Sequence, residues 1–161
     1  MQLKFSILYV GLIVFVNWGF SVVPLVDIPG GEKWPPMSLI VGFIFVARDF
    51  AQREIGHRVI IAMLIAALLS YLMADPIVAL ASLTAFLISE FGDWAVYSLT
   101  GRPFSQRILI SSAVGTPLDS MVFLGIIGHL SAIGVIAMTA SKMMGALIVW
   151  WLIRRREAEA V

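Results

Sequence analysis

The stretch IVALASLTAFLISEFGDWAVYSL, residues 77–99, decides how the rest of the chain is read. A helix rising about 1.5 Å per residue needs roughly 20 apolar residues to cross a hydrocarbon core of about 30 Å, and this stretch is long enough. It nevertheless carries two acids, Glu90 and Asp93. Ser82, Ser89, Glu90, Asp93 and Tyr97 recur at separations of three, four or seven residues, which places them on one helix face. A charge at bilayer depth costs about 2.5–3.5 kcal/mol on insertion scales. The polar stripe is therefore expected to face protein and the apolar remainder lipid.

The same pattern recurs on both sides of this segment. Apolar spans run over approximately 5–26, 34–52, 58–74, 76–99, 108–130 and 133–153, divided by proline, glycine or charged punctuation. Of the 161 residues, 60% are hydrophobic and 13% charged, with a mean hydropathy of +0.98. A soluble domain holds roughly 45–50% apolar and 25% charged residues and has no means of covering more apolar surface. The expectation is an all-α integral membrane protein, a bundle of about six transmembrane helices forming a single transmembrane domain over residues 1–161. The first apolar run follows one lysine and lacks a small-residue cleavage pattern, so it is read as a retained span. The net charge of +1 is made of local clusters, which gives no surface for nucleic acid, and the absence of cysteine leaves the redox compartment open.

Basic residues set the orientation. Lys4, then Arg48, Arg53 and Arg58, then Arg102 and Arg107, and finally Arg154, Arg155 and Arg156 fall on one side. The opposite connections hold one basic residue, Lys33, offset by Asp27 and Glu32, and then Asp75. By the positive-inside rule both termini are expected to be cytoplasmic. The second span is the least regular. Only Met37 to Ala47 is free of charge, so Trp34, Pro35 and Pro36 would begin it at the outer interface. Arg48, Asp49 and Gln52 would lie at its inner end, where an Arg48–Asp49 pair either snorkels to the interface or takes part in coupling.

Glu90, Asp93, Asp119 and Lys142 lie far from any loop. Helix rise puts Asp119 about 16 Å from the inner end of its span and Lys142 about 14 Å from the outer end of its own, both near the midplane. Asn17 reaches a similar depth, Glu90 lies one turn nearer the cytoplasm and Asp93 lower again. Ser112, Thr116 and Asp119 form a second stripe, and Pro117 removes a backbone bond beside the acid. These groups would line a central cavity open toward the cytoplasm. The simpler alternative makes Asp119 and Lys142 an ion pair tying two helices. Against it, one lysine does not neutralise three carboxylates even with Arg48 serving Asp49, which leaves acid for a proton or a substrate to satisfy.

No serine elbow, phosphate loop or zinc-protease motif is present, and His57 and His129 are too far apart to share a metal. An enzyme is not expected, nor a cofactor or metal.

Four segments carry a resemblance: FIFVARDFAQREIGHR (43–58), ASLTAFLISEFGDWAVYSL (81–99), SSAVGTPLDSMVFLGIIG (111–128) and ASKMMGALIVWWL (140–152). In order and spacing they resemble the vitamin-uptake-transporter-like family of queuosine precursor transporters, over about Phe43 to Arg156. The resemblance implies an inner-membrane importer of a 7-deazaguanine, such as 7-cyano-7-deazaguanine, salvaged for a modified tRNA nucleoside. By position it implies functional roles for Asp49, Asp93, Thr116 to Asp119, and Lys142. Two departures are the short early part of the chain and Met138, where relatives often carry an acid.

The chemistry of such a solute suits these residues. A deazaguanine offers adjacent ring N–H and amine donors that a carboxylate accepts bidentately, and a flat face for aromatic stacking. Glu90 or Asp119 would accept, Asn17 or Lys142 would donate to the ring carbonyl, and Trp94, Phe86, Phe123 and Trp18 are the stacking candidates. The partners are then a small planar nucleobase-like solute and the lipid bilayer, with proton coupling, a homo-oligomer or an energising partner as open elaborations. Two other readings stand beside uptake: a substrate-binding subunit driven by a separate ATPase, and a non-transporting membrane scaffold.

Overall fold

The computed structural model describes residues 3–73 and 76–159. Its elements in chain order are helix α1 (Lys4–Val22), a two-stranded hairpin of β1 (Val26–Ile28) and β2 (Glu32–Trp34), and helices α2 (Ser38–Ile55), α3 (Val59–Met73), α4 (Pro76–Leu99), α5 (Phe104–Ile126) and α6 (Ala132–Glu159). The expected 58–74 and 76–99 spans meet at Ala74 and Asp75, which lie outside the described residues.

The main revision at this scale is between the first two spans. α1 stops at Val22, just before Pro24, and Val26 pairs with Trp34 in an antiparallel hairpin, rather than ending a helix. Pro35 and Pro36 then delay α2 to Ser38. The fifth helix runs earlier than expected, from Phe104, and ends at Ile126, while the sixth continues to Glu159.

α2 is the hub, touching each of the other five helices. Its central place explains its composition: a helix surrounded by protein has no need of an apolar exterior. Gly56, at φ 63°, ends it where a Cβ would strain the backbone, and a 3₁₀ turn (Gly56–Arg58) reverses the chain into α3. α2 also comes unusually close to α6. A Cβ on Gly42 would collide with the carbonyl oxygen of Lys142, and one on Gly145 would lie 2.8 Å from the Gly42 carbonyl carbon. Two glycines facing each other thus bring backbone against backbone.

The distribution of polarity is inverted relative to a soluble protein. Ile7, Leu68 and Leu72 are 69%, 59% and 70% exposed, whereas Arg48, Asp49, Glu90 and Asp93 are fully buried. Hydrocarbon is the medium that tolerates that exterior. Ser38–Leu72, which joins α2 to α3 through the turn, Phe104–Ile126 and Ala132–Arg156 are long and apolar enough to cross a membrane, and Lys4–Phe20 is a shorter apolar helix.

Candidate functional site

Most of the polar stripe of α4 faces inward: Ser89, Glu90, Asp93 and Tyr97 are buried, with Ala81 and Ala85 buried above them, whereas Ser82 is half-buried. It meets buried polar groups from α1, α2, α5 and α6, which sort into two clusters.

The first cluster surrounds Arg48 on α2. Its Nη2 contacts Asp49 Oδ1 at 2.8 Å and also pairs with Asp93, while Nη1 donates to Gln52 Oε1 at 2.7 Å. Its Nε faces Glu90 Oε2 at 3.6 Å, beyond hydrogen-bond length. Glu90 Oε2 instead accepts from the Tyr9 hydroxyl on α1 at 2.8 Å, and its Oε1 is buried without a partner. Ser111 on α5 donates to Asp49 Oδ2 at 3.0 Å. The guanidinium also lies 5.7 Å from the Tyr97 ring centroid. One cation therefore serves three carboxylates.

The second cluster joins α6 to α5. Lys142 Nζ pairs with Asp119 Oδ2 and donates to Ser120 Oγ at 3.0 Å. Ser89 of α4 donates to Asp119 Oδ1 at 3.3 Å. Asp119 keeps 15% of its side chain exposed, unlike any member of the first cluster. Two consecutive residues of α4, Ser89 and Glu90, thus touch the two clusters separately.

Several expectations are corrected here. Arg48 and Asp49 do not snorkel to an interface; α2 is enclosed, so both are fully buried in the bundle. Arg48 does not serve Asp49 alone. Glu90, Asp93 and Lys142, expected to line a central cavity open to the cytoplasm, are instead buried, and of these charged groups only Asp119 keeps part of its side chain exposed. Shallow apolar grooves of about 360 and 460 Å³ lie elsewhere, one near Met121 and Val135, the other near Leu3 and Val10.

Other candidates are dispersed. Asn17 donates to the Ile13 carbonyl and to Ser70 Oγ at 2.6 Å, which turns it toward α3. The Thr116 hydroxyl donates to the Ser112 carbonyl of its own helix at 2.8 Å. Trp18 is 54% exposed on the outer surface, so it does not stack in the interior. Trp94 meets His57 edge-on at 5.6 Å between centroids, and Phe86 packs with the apolar core. Phe123 is half-buried on α5. α5 passes through Pro117 as one continuous helix.

Tyr9, Ser111 and Ser120 were not singled out by sequence. Ser120 adjoins an acid, and Tyr9 is the one tyrosine in an apolar first helix; those are the signals that mark them.

An apolar-shelled helical protein with ion pairs sealed in its interior belongs to the class of polytopic membrane proteins. More narrowly, residues 36–155 match the family described as "putative vitamin uptake transporter", and the chain belongs to that family. Neither a curated protein nor a solved structure matches it.

Proposed function

We propose that this chain imports a 7-deazaguanine such as 7-cyano-7-deazaguanine across a bacterial inner membrane, with Asp119 and Lys142 as the pair that recognises it. The observation that carries this reading is the second cluster: an acid and a lysine in direct contact, with the acid partly open. A solute with adjacent N–H donors replaces Lys142 on the Asp119 carboxylate, and its ring carbonyl takes the freed ammonium. Binding therefore exchanges one set of charge-assisted bonds for another and leaves no unpaired ion. Ser89 and Ser120 supply further polar contacts, and Phe123 is the aromatic of α5 that remains a stacking candidate. Family membership supports transport; the substrate class rests on the four sequence segments and on this chemistry.

The proposed topology is six spans with both termini in the cytoplasm. Supporting it, one end of the bundle gathers the start of α1, the end of α2, the end of α4 and the start of α5: Phe5 stacks on Phe50 at 4.8 Å, and Phe50 meets Phe104 at 4.9 Å. Arg53 lies 4.6 Å from the Phe104 ring at that end, and Arg107 donates to the Arg102 carbonyl there. Arg53, Arg102 and Arg107 at that end support this orientation under the positive-inside rule.

The test is uptake of radiolabelled 7-cyano-7-deazaguanine in a host unable to make it. Uptake above the empty vector is expected, and none would remove the substrate assignment. Asp119→Asn and Lys142→Met are each expected to lower uptake at least tenfold at equal membrane abundance. Wild-type rates in both would make the pair a structural tie.

A further inference from the structure

We propose that Glu90 is a proton-binding site, separate from the substrate pair, and that Tyr9 positions its carboxyl group. This deepens the uptake reading by assigning its coupling ion and the residue that carries it.

The geometry singles out Glu90 among the buried acids. Asp119 has Lys142, with an additional donor in Ser89. Asp49 has Arg48 Nη2 at 2.8 Å and Ser111 at 3.0 Å. Asp93 contacts the same Nη2 directly. Glu90 alone of the three acids around Arg48 is held off the guanidinium, at 3.6 Å from Nε; its Oε1 is buried without a hydrogen-bond partner, as is Asp93 Oδ1, but Asp93 has its direct contact with Nη2. An ionised carboxylate in that position would be desolvated with only a distant share of a cation that Asp49 and Asp93 hold more closely, and a weakly paired buried charge is costly. A proton on Glu90 also lowers the cluster's excess: Arg48 against Asp49, Asp93 and Glu90 is a net −2 when all three acids are ionised and −1 when Glu90 is protonated.

The groups facing Glu90 can be named from each neighbouring element. α1 presents Tyr9, α2 presents Arg48 and Asp49, α4 itself presents Asp93, and α5 presents Asp119 with Lys142 of α6 behind it. α3 contributes no charged residue, and its Tyr71 is exposed. The remaining neighbouring charges, Asp49, Asp93 and Asp119, are acidic.

The binding step is a simple acid–base event: a proton from water adds to the Glu90 carboxylate and no bond to carbon changes. Ser89 and Glu90 are consecutive, so a shift of α4 that frees Asp119 from Ser89 also moves Glu90 against Tyr9. Substrate and proton occupancy are coupled through that one segment of helix. For import, the proton enters from the outer side with the solute and leaves to the cytoplasm.

Two measurements test this. In proteoliposomes containing a pH-sensitive dye, 7-cyano-7-deazaguanine added outside should acidify the lumen, and an inside-alkaline gradient should speed its entry severalfold. In Glu90→Gln the acidification per molecule entered should fall to background and the gradient dependence should vanish, whatever exchange rate remains; Glu90→Asp should recover part of both. Unchanged proton movement in Glu90→Gln overturns the proposal. The second readout needs no transport, and so separates failure of this site from failure of the uptake reading. Infrared spectra of the purified protein at neutral pH should show the C=O stretch of a protonated carboxyl, absent in Glu90→Gln, shifted in Tyr9→Phe and unmoved in Asp119→Asn. A spectrum identical in wild type and Glu90→Gln overturns the proposal even where the dye assay gives no signal.

Discussion

At the scale of single residues, the structure turns on how two buried cations are distributed over three buried acids and the partly exposed Asp119. Arg48 is the more heavily used. Removing one member of a buried ionic network costs about 3–5 kcal/mol because the partners are left charged in a dry interior. Arg48→Met is therefore expected to lose about that much stability, read as a lowered unfolding midpoint in detergent; a change under about 1 kcal/mol would mean that the acids are already neutral. Tyr9→Phe removes one hydrogen bond to a carboxyl group, and a loss of about 1–3 kcal/mol in the same assay is expected. These pairings were only partly legible in the sequence. Helix rise sets Asp119 and Lys142 at one depth, and the structure brings them into contact. The sharing of Arg48 among three acids depends on α2 standing at the centre of the bundle, which no local spacing encodes. For the same reason Trp18, an inviting stacking residue on paper, faces outward while Tyr9, one helical stripe away, faces in.

At the scale of elements, the closest packing is between α2 and α6. Replacing Gly42 with alanine puts a methyl group into the Lys142 carbonyl, and overpacking of this kind costs about 1–3 kcal/mol. Gly42→Ala is expected to lower thermal stability and also to reduce uptake, since Lys142 sits at the contact; Gly11→Ala, which has open space around it, should do neither. Equal melting curves for the two variants would show that α2 and α6 part freely. Apolar periodicity located the long helical stretches but not the hairpin between α1 and α2. Three-residue strands leave almost no pattern, and the prolines that flank them were readable as boundaries only. The hairpin matters to the site because Trp34 donates from Nε1 to Ser141 Oγ at 2.9 Å, one residue from Lys142.

At the scale of the whole molecule, the interior-polar, exterior-apolar arrangement is the feature most directly written in the sequence, because a 60% hydrophobic composition admits few other solutions. A topology test follows from the basic residues. Alkaline phosphatase fused after Arg156 should be inactive and green fluorescent protein at the same place bright; the opposite pair of results would invert the proposed orientation.

The clasp of α2 on α6 has a mechanical consequence. Both buried cations, Arg48 and Lys142, ride on that backbone-locked pair, whereas Glu90, Asp93 and Asp119 ride on α4 and α5. Apart from Asp49, which stays beside Arg48 on α2, the buried charges thus face one another across the seam between these two helix pairs, and their attraction acts there together with the apolar packing of Val46, Ile108 and Ala146. Under the proposed uptake, charge brought by a solute or a proton weakens that attraction first, so the cargo itself would ease the two helix pairs apart.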